Sequence, residues 1–146
     1  MRWDLAVIKY TEDTLIEYGI LPWHLNLMVI RLTTAFKDQD IESIMKLSSE
    51  IGHYASDAHV PLHTTENYNG QLTGQKGIHA LWESRIPERK AENFNFLTGK
   101  AIYFDDVQEE IWKVISSSHI EVPFVLNSEK ELRASFEMGF SGNQVY

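Results

Sequence analysis

The sequence predicts an all-α protein, a multi-helix bundle, on three observations. Apolar residues recur at helical spacing through most of the chain, residues that start and stop helices stand where those stripes begin and end, and no run of strict apolar/polar alternation competes. With 146 residues, 43% hydrophobic and 12% aromatic, the chain has apolar mass for one ordinary core, so residues 1–146 are read as a single helical domain.

The first helix carries Trp3, Leu5, Ala6, Ile8, Leu15, Ile16 and Tyr18 and stops at Gly19. The second opens with Pro22, a good first helical residue, and Leu25, Met28, Val29 and Leu32 continue its stripe to Lys37-Asp38. Asp40 is the N-cap of a third, in which Ile41, Ile44, Met45, Leu47, Ser48 and Ile51 lead to an end between Ala58 and Val60, because Pro61 forces its predecessor out of helical angles. Residues 64–77, with three glycines and two asparagines, read as a long loop. A short helix from Ile78 to about Ile86, anchored by Trp82, ends at Pro87, and 88–100 reads as an irregular connection. Asp105 or Asp106 caps a helix through Val107, Ile111, Trp112, Val114 and Ile115, and Ser128 with Glu131 forms a capping box for a last helix ending at Gly139.

Composition restricts the chemistry. No apolar run approaches the ~20 residues of a transmembrane helix, so no transmembrane segment is expected. The opening residues show no signal-peptide pattern, and they do not encode a compartment. The absence of cysteine excludes disulfides, thiolate metal sites and a Cys nucleophile, leaving any metal to His, Asp and Glu. Thirteen basic against 21 acidic residues give a net charge of −8, which disfavours any stable nucleic-acid complex. A bound divalent cation would still create a local anion site on such a surface.

Four of the six histidines, His53, His59, His63 and His79, fall within residues 53–79. His53 with Asp57 and His79 with Glu83 are each four apart, a spacing that puts both side chains on one helix face where they can converge on one cation. His63 follows Pro61 at a helix end, from which it can reach the second pair. One such His/acid pair is expected by chance in a chain this acidic, so either alone reads equally as a surface ion pair, whereas two pairs and His63 together point to a metal centre.

The run Gly52-His53-Tyr54-Ala55-Ser56-Asp57-Ala58-His59-Val60-Pro61-Leu62-His63, followed by Gly77-Ile78-His79-Ala80-Leu81-Trp82-Glu83, resembles the zinc-dependent phospholipase C and single-strand-specific nuclease superfamily through its pattern His-x3-Asp-x5-His-x15-His-x3-Glu. The resemblance covers about residues 40–90. It implies an all-α bundle of that type, which holds up to three zinc ions at the bottom of a cleft and hydrolyses phosphodiester bonds with water activated by clustered zinc. On that footing His63, His79 and Glu83 bind one zinc, and His53 and Asp57 belong to a neighbouring two-zinc cluster bridged by Asp57.

The family completes that cluster from upstream, with an N-terminal Trp, a further His and an Asp. Here Met1-Arg2 precede Trp3, and His24, the only earlier histidine, matches no family ligand. The chain is therefore expected to be an N-terminally incomplete portion of a longer enzyme, with about one complete zinc site, a general base upstream and little activity of its own. The implied substrate is a phospholipid head group or single-stranded nucleic acid. Glu83 and the short His63–His79 interval side with the phospholipases, and His59 before Val-Pro-Leu-His sides with the nucleases. The full-length protein is implied to be secreted or extracytoplasmic.

His59 turns away from the His53/Asp57 face and reads as a residue packed behind the ligands. Asn67 and Tyr68 are candidates to meet the substrate from the loop, against a solvated turn at Asn69-Gly70. His24 reads as packing at a helix start, and His119, near a helix C-terminus, is expected to carry no chemistry. Two rivals stand beside the hydrolase: a non-catalytic helical domain with one structural zinc on His63, His79 and Glu83, and a metal-free interaction module.

Overall fold

The computed structural model describes residues 1–97 and 99–135, and every regular element among them is helical. They form two compact units, one of residues 1–59 with 104–115 and one of the described residues of 60–103 with 116–135.

In the first unit, the stripe expected to be one helix is two, α1 (Trp3–Tyr10) and α2 (Glu12–Tyr18), separated at Thr11. Thr11 has φ 66° and ψ 152°, a backbone region that β-branched residues rarely enter. The cause is a cap hidden inside an apolar stripe: Thr11 Oγ1 accepts from the Thr14 amide, and Glu12 and Asp13 suit the positive end of a new helix. Gly19 closes α2 at φ 110°, with its N–H on Leu15 O. α3 (Leu21–Asp38) begins with Pro22 in its first turn, and α4 (Ile41–Ala58) is capped by Asp40, as the sequence indicates. Gln39, left-handed at φ 58°, and Asp40 return their N–H groups to the last carbonyls of α3, and this two-residue link folds α3 and α4 into an αα-hairpin. Leu25, Met28 and Ala35 of α3 are buried. Trp23 lies edge-on to both Trp3 (5.2 Å) and Trp112 (5.4 Å) and donates from Nε1 to Met1 O, which ties α1, α3 and the segment around Trp112 together.

In the second unit, a 3-10 turn (Pro61–Thr64) is followed by the long loop. Next come α5 (Ile78–Ala80), a π turn (Leu81–Arg85), α6 (Ile86–Lys90) and a 3-10 turn (Ala91–Asn93). The helix therefore does not end at Pro87, which lies in the first turn of α6. Having no N–H, Pro87 cannot bond the carbonyl four residues back; the Ile86 N–H reaches Leu81 O, five back, and the chain continues through one wider turn. The irregular connection consequently starts at Phe94 rather than at residue 88. Trp82 keeps 36% of its surface exposed; the anchor of this segment is Ile78, 1% exposed, packed with Leu62 and Val125.

α7 (Val107–Ile120) is capped by Asp106, whose carboxylate accepts from the Glu109 amide. Its residues to Ile115 belong to the first unit and those from Ser116 to the second. α8 (Val122–Ser135) follows at once, with Pro123 in its first turn, so Ser128 lies inside the helix and is not a cap. The expected end at Gly139 falls outside the described residues.

Replacing Thr11 by Gly should raise the unfolding free energy by about 1 kcal/mol, since relief of left-handed strain (1–3 kcal/mol) exceeds the small loss on replacing a cap by Gly. Urea melts decide it, and a loss of stability would show the cap outweighing the strain. Asp40 gives a pH prediction. Hydrogen bonds from the Ser43 hydroxyl and amide hold its carboxyl below the ordinary range. Its contribution is thus present above the unfolded value of about 4 and lost as pH falls through the lower folded value. The stability deficit of Asp40→Ala should shrink between pH 5 and 2; a constant deficit would assign the cap no charge component.

Candidate metal centre

His63, His79 and Glu83 offer one ligand atom each within 4.8 Å of one another. The buried core of the second unit brings them together. Leu62 and Ile78, 0% and 1% exposed, pack with Val125 of α8, and each immediately precedes a histidine of the site. His63 enters from the 3-10 turn; His79 and Glu83, on α5 and the π turn, keep the i,i+4 relation. π turns recur at functional sites because they re-aim side chains on an otherwise regular helix.

His63 Nε2 lies 2.7 Å from Glu83 Oε1, and His79 Nε2 lies 3.0 Å from Glu83 Oε2. The imidazoles stack with centroids 5.1 Å apart. These side chains are 25–28% exposed, so the site is partly sheltered and still reached by solvent. Two atoms there carry the test of fit. Glu83 Oε1 is buried and makes no hydrogen bond despite its close approach to His63, and His79 Nδ1 is likewise buried without a partner. An unsatisfied buried carboxylate oxygen beside two imidazoles has a lone pair left for a further partner. Two imidazoles and a carboxylate are a set that zinc accepts. Ligands about 2.0–2.1 Å from a tetrahedral ion stand roughly 3.4 Å apart, so the two short His–Glu pairs would spread by about 0.4 and 0.7 Å. The residues fit a divalent cation.

The loop between the histidines is built from its own hydrogen bonds. Asn67, 7% exposed, receives the Leu72 amide on Oδ1 and donates from Nδ2 to Thr73 Oγ1. Asn69 O and Oδ1 both accept from the Gly77 amide. Gly70 faces Gln75 so closely that a Cβ there would collide with the Gln75 carbonyl, and its φ of 71° also calls for glycine. Gln75, 5% exposed, donates to Leu126 O and to the buried Glu129 carboxylate on α8, which also accepts from Arg133. The expected loop is present, and Asn67 bonds within it. Tyr68 stands beside the triad, its half-exposed ring edge-on to His79 at 5.9 Å.

His53 and Asp57 lie on α4 in the first unit, His53 Nε2 3.5 Å from Asp57 Oδ2, with His53 71% exposed and Asp57 27%. Tyr54 lies edge-on to His53 (5.3 Å) and to His24 (5.1 Å), which places His24 in the packing of the hairpin. His59 caps α4, with Nδ1 donating back to Ala55 O at 2.7 Å. Comparison of the chain with protein-family models, curated proteins and solved structures finds no match.

The purified chain should bind about one equivalent of zinc, and His79→Ala or Glu83→Gln should abolish that binding while His24→Ala retains it. A metal held only by the folded state stabilises by about 2.7 kcal/mol at a hundredfold excess over Kd. Melts with and without chelator should thus separate the two triad variants from the parent and from His24→Ala. Equal chelator sensitivity in all four proteins would overturn the ligand assignment.

Proposed function

We propose that the chain serves zinc-dependent phosphodiester hydrolysis, with the substrate bound at His63, His79 and Glu83. The observation that carries this reading is a triad of hydrolytic-zinc ligand types, with no fourth His, Cys, Asp or Glu joining the group among the described residues. Structural zinc sites are closed by four protein ligands, whereas hydrolytic ones keep three and leave a position for water or substrate. A bound zinc supplies Lewis acidity to a phosphoryl oxygen and lowers the pKa of its water towards 7. Glu83 with two neutral imidazoles leaves a divalent site net positive, a local attraction for a phosphodiester on a chain of net charge −8. Tyr68 offers a half-exposed ring beside His79 for the group attached to the phosphate. His53 and Asp57 are proposed as ligands of a further metal position. The ligand pattern around Glu83 favours a phospholipid head group over a nucleic acid.

The rival reading, a zinc that only fastens the loop, is disfavoured by the loop itself. Gln75, Asn67 and Asn69 already hold it through protein hydrogen bonds. With zinc present, the chain should hydrolyse a chromogenic phosphocholine ester slowly, faster than single-stranded DNA or RNA, and lose that activity with chelator and in His79→Ala. Zinc binding at one equivalent with no hydrolysis of any of the three would favour the structural zinc.

A further inference from the structure

We propose that His119 is a positioning residue for the metal centre: by donating from Nδ1 to Thr64 it fixes the 3-10 turn that presents His63 to Glu83. This inference rests on the metal reading of the triad. His119 stands in the last turn of α7, exposed, with Nδ1 3.0 Å from Thr64 O and 3.2 Å from Thr64 Oγ1. A carbonyl only accepts, so Nδ1 carries the proton. The Thr64 hydroxyl gives its own proton to Pro61 O at 2.7 Å, which turns its lone pairs towards the imidazole. One N–H thus serves two oxygens of the residue that directly follows His63.

The three ligands differ in how they are held. His79 and Glu83 share one helical segment and keep their mutual distance by i,i+4 geometry; the loop leading into that segment is tied to α8 through Gln75. His63 alone comes from elsewhere, a turn of four residues whose ties include its own His63 N–H to Val60 O, the Thr64–Pro61 bond and the burial of Pro61 and Leu62. Leu62 sets where the turn sits, and the His119 bond sets its rotation. A ligand's direction matters to a cation as much as its position, and partners behind the ligands typically affect metal affinity 10–100-fold. His119 is itself no ligand, and its bond to Thr64 O is made by the neutral Nδ1–H form and by the cation alike.

Zinc affinity by chelator competition, the visible spectrum of the cobalt-substituted chain and the metal-free melt are measured for the parent, His119→Ala and His119→Asn. The Asn amide nitrogen can occupy the place of Nδ1. Because His119 is exposed, neither change opens the core. The expected result is about tenfold weaker zinc binding and an altered cobalt spectrum in His119→Ala, affinity largely restored in His119→Asn, and metal-free melts alike in all three. Unchanged affinity in His119→Ala would overturn the proposal. So would a loss of metal-free stability with an unaltered cobalt spectrum and no rescue by Asn, which would mark the bond as structural only. A parent chain that binds neither zinc nor cobalt would overturn the metal reading itself and this inference with it, an outcome distinct from the other two.

Discussion

The burial of Leu62 and Ile78 against Val125 is the contact on which the candidate site depends. Apolar side chains in a packed interior tolerate little displacement, because gaps forfeit dispersion contacts and crowding forces poor rotamers. Each histidine of the triad that follows one of these residues inherits that restriction through a single peptide unit. Two ligands distant in sequence are thus located to within the tolerance of a hydrophobic core, and the polar groups around them adjust direction rather than position.

The polar part of the second unit solves a different problem. The loop from Thr65 to Gly77 buries little apolar surface of its own, so its order comes from amide and carbonyl pairing and from Gln75 inserted beneath it. Glu129 is a buried carboxylate, an expensive group unless its oxygens are satisfied. Gln75 on one oxygen and Arg133 on the other satisfy it, and the arrangement specifies one docking of the loop where apolar packing would allow several.

Local signals were legible in the sequence, and distant polar contacts were not. Pro22, Gly19, Asp40 and Asp106 mark helix ends through their own backbone chemistry, and the structure places those ends where they stand. The grouping of His63, His79 and Glu83 was readable because i,i+4 geometry and the intervening loop both follow from spacing. Thr11 was missed because its capping hydroxyl sits inside a stripe that runs on past it, and periodicity does not register one residue at positive φ. The π turn was missed because Pro87 reads as a stop, although a proline one turn into a new helix costs no hydrogen bond. Ser128 and Glu131 had the form of a cap, but the apolar residues Val122 and Val125, both buried, hold the helix together well before them. The pairing of His119 with Thr64 and of Gln75 with Glu129, more than fifty residues apart, leaves no periodic trace at all.

Because the core positions both histidines, the exposed tip of the loop, Gln71 to Gly74, is tied to its neighbours by Asn67 but does not itself set the spacing of the ligands. Lengthening such a segment adds only about 0.6 kcal/mol of closure entropy for each doubling. Evolution could enlarge the rim of the site there, grafting new recognition surface beside Tyr68, without touching a residue that sets the spacing of the ligands. The spacing of the triad can thus stay fixed against Val125 of α8 while the surface beside it drifts.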